Sequence, residues 1–132
     1  MKGYVTAIEK ETVKNADFRR VLYTGKYSQL VLMSLKPGEE IGEETHKDVD
    51  QFFRFEKGEG KVTIDGVGHS VKDGTAVIVP AGAKHNVFNI SKRANLKLYT
   101  IYSPPEHQDG VVRKTKKDAM ASEEHFNGQS TE

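Results

Sequence analysis

Residues 74–89 read GTAVIVPAGAKHNVFN, and the spacing inside this stretch decides the fold. Pro80 presets one backbone angle and Gly82 tolerates a positive φ, so Pro80-Ala81-Gly82 reverses the chain between an apolar run at 76–79 and a second run that begins just after His85. Asp73-Gly74 marks another turn immediately upstream. Working outward, the same grammar recurs. The β-rich runs FRRVLYTG, QLVLMSL, QFFRF, KVTID, AVIVP, NVFNI and LKLYTIY fill residues 18–102, and Gly25-Lys26, Pro37-Gly38, Gly58-Glu59-Gly60 and Asp65-Gly66 punctuate them. Short runs of this kind joined by Gly and Pro turns predict an all-β sandwich or barrel. The β pattern stops at Ser103-Pro104-Pro105. Beyond it, TKKDAMASEEHF opens on a candidate N-cap, Thr115, with Asp118 three residues later, and predicts a short C-terminal helix with a solvated start. The closing NGQSTE is small and polar and is expected to fray.

The composition bounds what such a fold can do. With 132 residues, one domain spanning 1–132 is expected, its core at about 18–103 and a C-terminal extension at 104–132. Twenty Lys and Arg against nineteen Asp and Glu leave a net charge of +1, which argues against a nucleic-acid or anionic-membrane partner. Purely apolar runs stop at about four residues, against the roughly 20 that a spanning helix needs. The N-terminal stretch has no apolar run like a secretory signal, and no cysteine is present. A cytoplasmic location is the expectation, and thiolate chemistry is excluded.

Within 74–89 the fixed positions are Gly74, Pro80, Gly82, His85 and Asn89; upstream, Gly38, Glu44, His46, Gln51 and Gly58 form a second spaced set. The Gly and Pro positions of the first set alone would coincide by chance about 2 times in 10,000 at a given start, from average residue usage. The two sets resemble the paired sequence motifs of the cupin superfamily. Glu44 stands where that family usually has its first histidine, and Gln51 where it usually has its glutamate. The resemblance implies a double-stranded β-helix, a small barrel, and a divalent metal ion such as Zn, Mn, Fe, Co or Ni. It also implies a homodimer.

Elementary strand geometry leads to the same residues. Side chains two apart share a strand face, so Glu44 and His46 point the same way, while His85 reaches them from a neighbouring strand and Gln51 from the next. A carboxylate, an amide oxygen and two imidazoles make a mixed oxygen and nitrogen donor set suited to a first-row divalent metal. Gln51 is the weakest of the four, and an alternative role for it is a hydrogen bond to water or substrate. Phe53 and Phe55 share the parity of Gln51 and are expected to line the interior as a largely apolar pocket wall; Phe52 and Arg54 should face outward, where an apolar Phe52 suggests a covering partner. His69 is expected at the surface and His125 in an uninvolved tail. Tyr99, Tyr102, Glu106 and His107 are candidates for the proton-transferring group by position alone.

Small cupins that the chain resembles include sugar and uronate isomerases or ring-opening enzymes, among them the mannose-6-phosphate isomerase type, along with dioxygenases and non-catalytic binding modules. The leading expectation is an isomerase or ring-opening enzyme acting on a sugar or sugar acid, a small polar, oxygen-rich ligand. Glu44, His46 and His85 would also make the two-His-one-carboxylate set of Fe(II) dioxygenases, which is the alternative. A binding module without turnover is the third. Neither G-x-S-x-G nor G-x-x-x-x-G-K occurs, so serine-hydrolase and phosphate-loop chemistry have no support.

Overall fold

The structure, a computed structural model, describes all of residues 1–132. A helix α1 (Ile8–Lys14) precedes ten strands: β1 (Arg19–Thr24), β2 (Gln29–Leu35), β3 (Glu44–Thr45), β4 (Asp50–Lys57), β5 (Glu59–Ile64), β6 (Val67–Lys72), β7 (Ala76–Val79), β8 (Lys84–Asn89), β9 (Leu96–Ser103) and β10 (Val112–Arg113). Helix α2 (Lys116–Ala121) follows. Two antiparallel sheets face each other, one in the order β10-β1-β2-β9-β4-β7 and one in the order β3-β8-β5-β6. All seven expected runs are strands, in the all-β, two-sheet barrel that the resemblance implies, with a short C-terminal helix.

Alternation decides what each strand buries. On β4, Gln51, Phe53 and Phe55 are buried and Phe52 and Arg54 are not, as their parity predicts. Phe53 and Phe55 stack on each other within a core of 17 buried residues contributed by both sheets, including Val31, Leu35, Val62, Val87 and Leu98. Burying a side chain of this size contributes about 1.5–3 kcal/mol. The two phenylalanines belong to the core and do not line the cleft at the barrel mouth, though Phe53 stands edge-on to the His85 ring, centroids 6.2 Å apart. Phe52 sits half-buried on the outer face beside Tyr99, with ring centroids 6.2 Å apart.

The turns behave as their residues require. Gly82 adopts φ 89°, and its N–H donates to the His46 carbonyl at 2.8 Å, so the Pro80-Gly82 turn anchors the segment that carries His46. Asn89 donates to the carbonyls of Leu35 (3.0 Å) and Ala94 (2.9 Å), closing the loop into β9. Thr115 caps α2, its hydroxyl accepting from the Asp118 N–H at 3.1 Å. No helix is long and apolar enough to cross a membrane.

Two expectations about the chain's end need correction. The tail is tied down: Thr131 N–H donates to the Thr24 carbonyl at 2.9 Å, and Thr24 N–H donates to Thr131 Oγ1 at 2.8 Å, which adds an edge contact to β1. The Glu132 carboxylate accepts from Tyr23 and from the N–H of Lys2. His125 is likewise not uninvolved, because this anchoring carries it across the barrel mouth.

Candidate functional site

Strand register brings three of the four expected donors together at one end of the barrel, and His46 follows directly after β3. Glu44 on β3 lies opposite His85 on β8, and Gln51 enters from β4. The donors form two close pairs. His46 Nε2 is 3.1 Å from Glu44 Oε2, and His85 Nε2 is 3.2 Å from Gln51 Oε1. The two imidazole rings lie 5.3 Å apart, centroid to centroid. No group of three His, Cys, Asp or Glu side chains is closed up as a ready metal cluster.

The hydrogen bonds behind each pair fix its chemistry. Ala83 O can only accept, so His85 Nδ1, 3.0 Å away, carries the ring proton and leaves Nε2 a lone pair. The Gln51 amide donates through Nε2 to Thr100 Oγ1 at 3.0 Å, which turns its oxygen toward His85. Two acceptors then face one another in a buried place, at a separation that a positive centre between them relieves: a second proton on the ring or a metal ion. Two donors sharing one ion at about 2.1 Å stand roughly 3.0–3.4 Å apart for bond angles of about 90–109°. Both pairs have that spacing, so the residues present fit a divalent ion.

His46 is held between acids. Its Nδ1 lies 3.5 Å from Glu106 Oε1, and its Nε2 meets Glu44. Burial acts to lower its pKa, but the hydrogen bonds to Glu106 and Glu44 outweigh it and raise the value to about 9. In Glu44, burial acts upward, yet the His46 hydrogen bond and the charges of His46 and Arg19 hold the carboxyl below its usual range. The hydrogen bond from His46 keeps Glu106 low as well. A carboxylate behind a histidine that can face a metal is the usual means of orienting such a ring.

The four candidates for proton transfer part company. Tyr99 lies on the outer face of β9, where alternation keeps it from the site. Tyr102 is buried with its ring edge-on to His46, centroids 5.9 Å apart, and burial pushes its pKa upward. His107 is buried rather than solvated; its Nε2 is 3.2 Å from Tyr102 Oη, and its backbone is clamped by Gln29, which accepts from the His107 N–H and donates to its carbonyl. Burial first, and then the charge of Arg19, pushes the His107 pKa down to about 3. Glu106 is the candidate that faces the cleft as an ionised group.

That cleft, of about 230 Å³, opens between the barrel mouth and the C-terminal segment. Glu44, Glu106 and His107 line it, with Phe18, Met120 and His125 among the walls. His125 Nδ1 reaches to 3.6 Å from Glu106 Oε1. His69 is exposed on β6, as expected. Sequence reasoning missed Arg19, which also lines the cleft. Its signal was present: Arg19 shares the parity of Val21, a core residue of the same strand.

The chain is a two-sheet antiparallel barrel with histidine, glutamine and glutamate gathered at one mouth. The chain belongs to the cupin family: the family model described as a cupin domain matches residues 31–102, and members of this family commonly bind a metal ion. The chain is 46% identical over 129 residues to the uncharacterized protein YrkC of Bacillus subtilis, covering 93% of this chain and 69% of that protein. It is 44% identical over 113 residues to the uncharacterized protein L612 of Acanthamoeba polyphaga mimivirus, covering 83% and 70%. The crystal structure of BH2720 from Bacillus halodurans superposes with a TM-score of 0.89 at 45% identity, covering 92% of this chain and 96% of that one.

Proposed function

We propose that the protein holds one divalent metal ion with Glu44, His46, Gln51 and His85 and acts there on a small oxygen-rich molecule, as an isomerase or ring-opening enzyme of sugars or sugar acids. The observation that carries this reading is the buried lone-pair contact between His85 Nε2 and Gln51 Oε1 at 3.2 Å, held from behind by Ala83 and Thr100. A bound ion would supply Lewis acidity to a carbonyl or hydroxyl oxygen of the substrate. The chain's own residues do the rest. Glu106, ionised and facing the cleft, orients His46 through Nδ1 and is the group placed to take a proton from the substrate. Tyr102 and His107 are buried against each other, Tyr102 Oη 3.2 Å from His107 Nε2, and they position the floor of the site. The oxygen donors and absence of sulfur disfavour soft ions.

Glu44, His46 and His85 taken alone are also the donor set of an Fe(II) oxygenase, favoured by the direct opposition of Glu44 and His85 across β3 and β8. Elemental analysis of protein purified without chelator tests the site. About one ion per chain is expected, lost in His46→Ala and in His85→Ala and weakened less in Gln51→Ala; a wild type without stoichiometric metal, unchanged by these substitutions, overturns it. A panel of uronates, ketoses and aldoses, assayed with an oxygen electrode, separates the chemistries. Sugar turnover without oxygen uptake supports the isomerase, coupled oxygen uptake supports the oxygenase, and ligand-induced stabilisation alone indicates a binding module.

A further inference from the structure

Arg19 is an odd residue to find on the inner face of a barrel. It shares that face with Val21, its paired partner Met33 belongs to the core, and its guanidinium lies over the buried Phe18 ring, 5.5 Å from the centroid. Every other charged group around the cleft except Glu123 has a counter-ion: Glu44 and Glu106 have His46, His125 has Glu106, Glu43 has Lys84, and Glu124 has Arg113. Arg19 has no ion pair, whereas Arg54 and Arg113, whose Nε atoms are buried like its own, are paired with Glu56 and Glu124. The register makes this harder to maintain, because Arg19 lies directly opposite Arg113 across β1 and β10. Two like charges so placed are destabilising. Glu124 forms an ion pair with one of them, and the other forms none. A half-buried, unpaired cation is kept at a cost in stability, and its charge is directed into the site, where it bears on Glu44, Tyr102 and His107.

We propose that Arg19 docks an oxyanion of the substrate, a carboxylate or a phosphoryl group, and so makes the protein selective for anionic over neutral sugars. This rests on the metal-site reading above and narrows it. The planar guanidinium offers two parallel N–H donors to such a group, and the Phe18 ring behind it fixes the plane. With the anion held at Arg19, the substrate's adjacent hydroxyl or carbonyl oxygens are left to face Glu44 and Glu106, which line the same cleft.

The test is calorimetric titration of the metal-loaded protein with D-glucuronate, D-glucose 6-phosphate and D-glucose. In the wild type at least one of the two anions should bind more than about tenfold tighter than glucose, as expected where a charged partner is met by a bidentate site. Whichever anion is preferred identifies the group. Arg19→Gln should bring that anion to within about twofold of glucose while leaving glucose affinity and metal content unchanged, and Arg19→Lys should recover part of the preference. An equal affinity for acids and glucose in the wild type overturns the inference, as does a preference that survives in Arg19→Gln or no binding of any of the three. The outcomes also separate the two readings. Anion preference that depends on Arg19 but persists in metal-free His85→Ala leaves the docking role intact and removes the metal-centred function. Turnover of a neutral sugar that is indifferent to Arg19→Gln does the reverse.

Discussion

Replacing His107 by glutamine should flatten the acid side of the protein's stability profile. In the folded state burial and the nearby Arg19 charge hold the His107 pKa at about 3, whereas in the unfolded chain an ordinary histidine titrates near about 6.5. The folded value is the lower one. As pH falls through about 6.5 the unfolded chain therefore takes up a proton that the folded protein refuses, and stability that is fully present above that pH is progressively lost. Between pH 7 and pH 5 the loss from this one group is about 2 kcal/mol, at 1.36 kcal/mol per unit of pH once the unfolded histidine is protonated. The amide introduced by His107→Gln would keep an acceptor for Tyr102 Oη, with which His107 Nε2 makes its 3.2 Å contact, but cannot titrate. Urea unfolding of wild type and His107→Gln with chelator present, at pH 7, 6 and 5, isolates the effect, since His46 and the carboxylates titrate equally in both. The difference between the two proteins should shrink or reverse by about 2 kcal/mol over that range. Parallel profiles would refute the argument that His107 is kept neutral by burial.

Other substitutions probe the frame around the site. Gly60→Ala should destabilise by about 1–3 kcal/mol or more, because a Cβ there would stand 2.7 Å from both the Phe88 carbonyl oxygen and Leu96 Cδ2, and the backbone oxygen cannot yield; thermal unfolding reads it out. Thr115→Ala removes the cap of α2 and should cost about 1 kcal/mol, visible as faster amide exchange at residues 116–121. The outer faces of β2, β9, β4 and β7 align Leu30, Ile101, Phe52 and Ile78, the last 67% exposed, in one apolar row. Light scattering should accordingly report about twice 14.7 kDa at micromolar concentration and a shift toward monomer in Phe52→Glu; a monomer mass at every dilution would end the dimer expectation.

What the sequence made legible follows from where burial is one-sided. Phe53 and Phe55 alternate with Phe52 and Arg54, so β4 could be read directly, and the turn at Pro80-Gly82 placed His85. β6 escaped notice because Val67 to Ser70 are all exposed and Val71 is its one buried side chain, which leaves no alternation to detect. α1 has no side-chain cap at Ala7, and β3 and β10 are two residues long, so propensity carries little signal for any of them. Tyr99 and Tyr102 differ only in parity along β9, which becomes meaningful once the sheet's inner face is known. Arg19 was legible in its parity with Val21 on β1, whereas the position of His125 depends on a tail that packs back from the far end of the chain, and no local pattern encodes that return.

The brevity of β3 has a mechanical consequence. Gln51 and His85 stand on strands paired on both sides, β4 between β9 and β7 and β8 between β3 and β5. Glu44 and His46 sit on a segment with two register pairs, tied on one side by the Gly82 N–H to the His46 carbonyl and on the other by the Ile41 N–H to Val87 O and the Gly42 N–H to Asn86 Oδ1. In the proposed metal centre, Gln51 and His85 would form the fixed side of the grip, and Glu44 and His46 the side set on the shorter strand. An ion of different radius would then be met at the Glu44 and His46 side, without disturbing the core beneath Gln51 and His85.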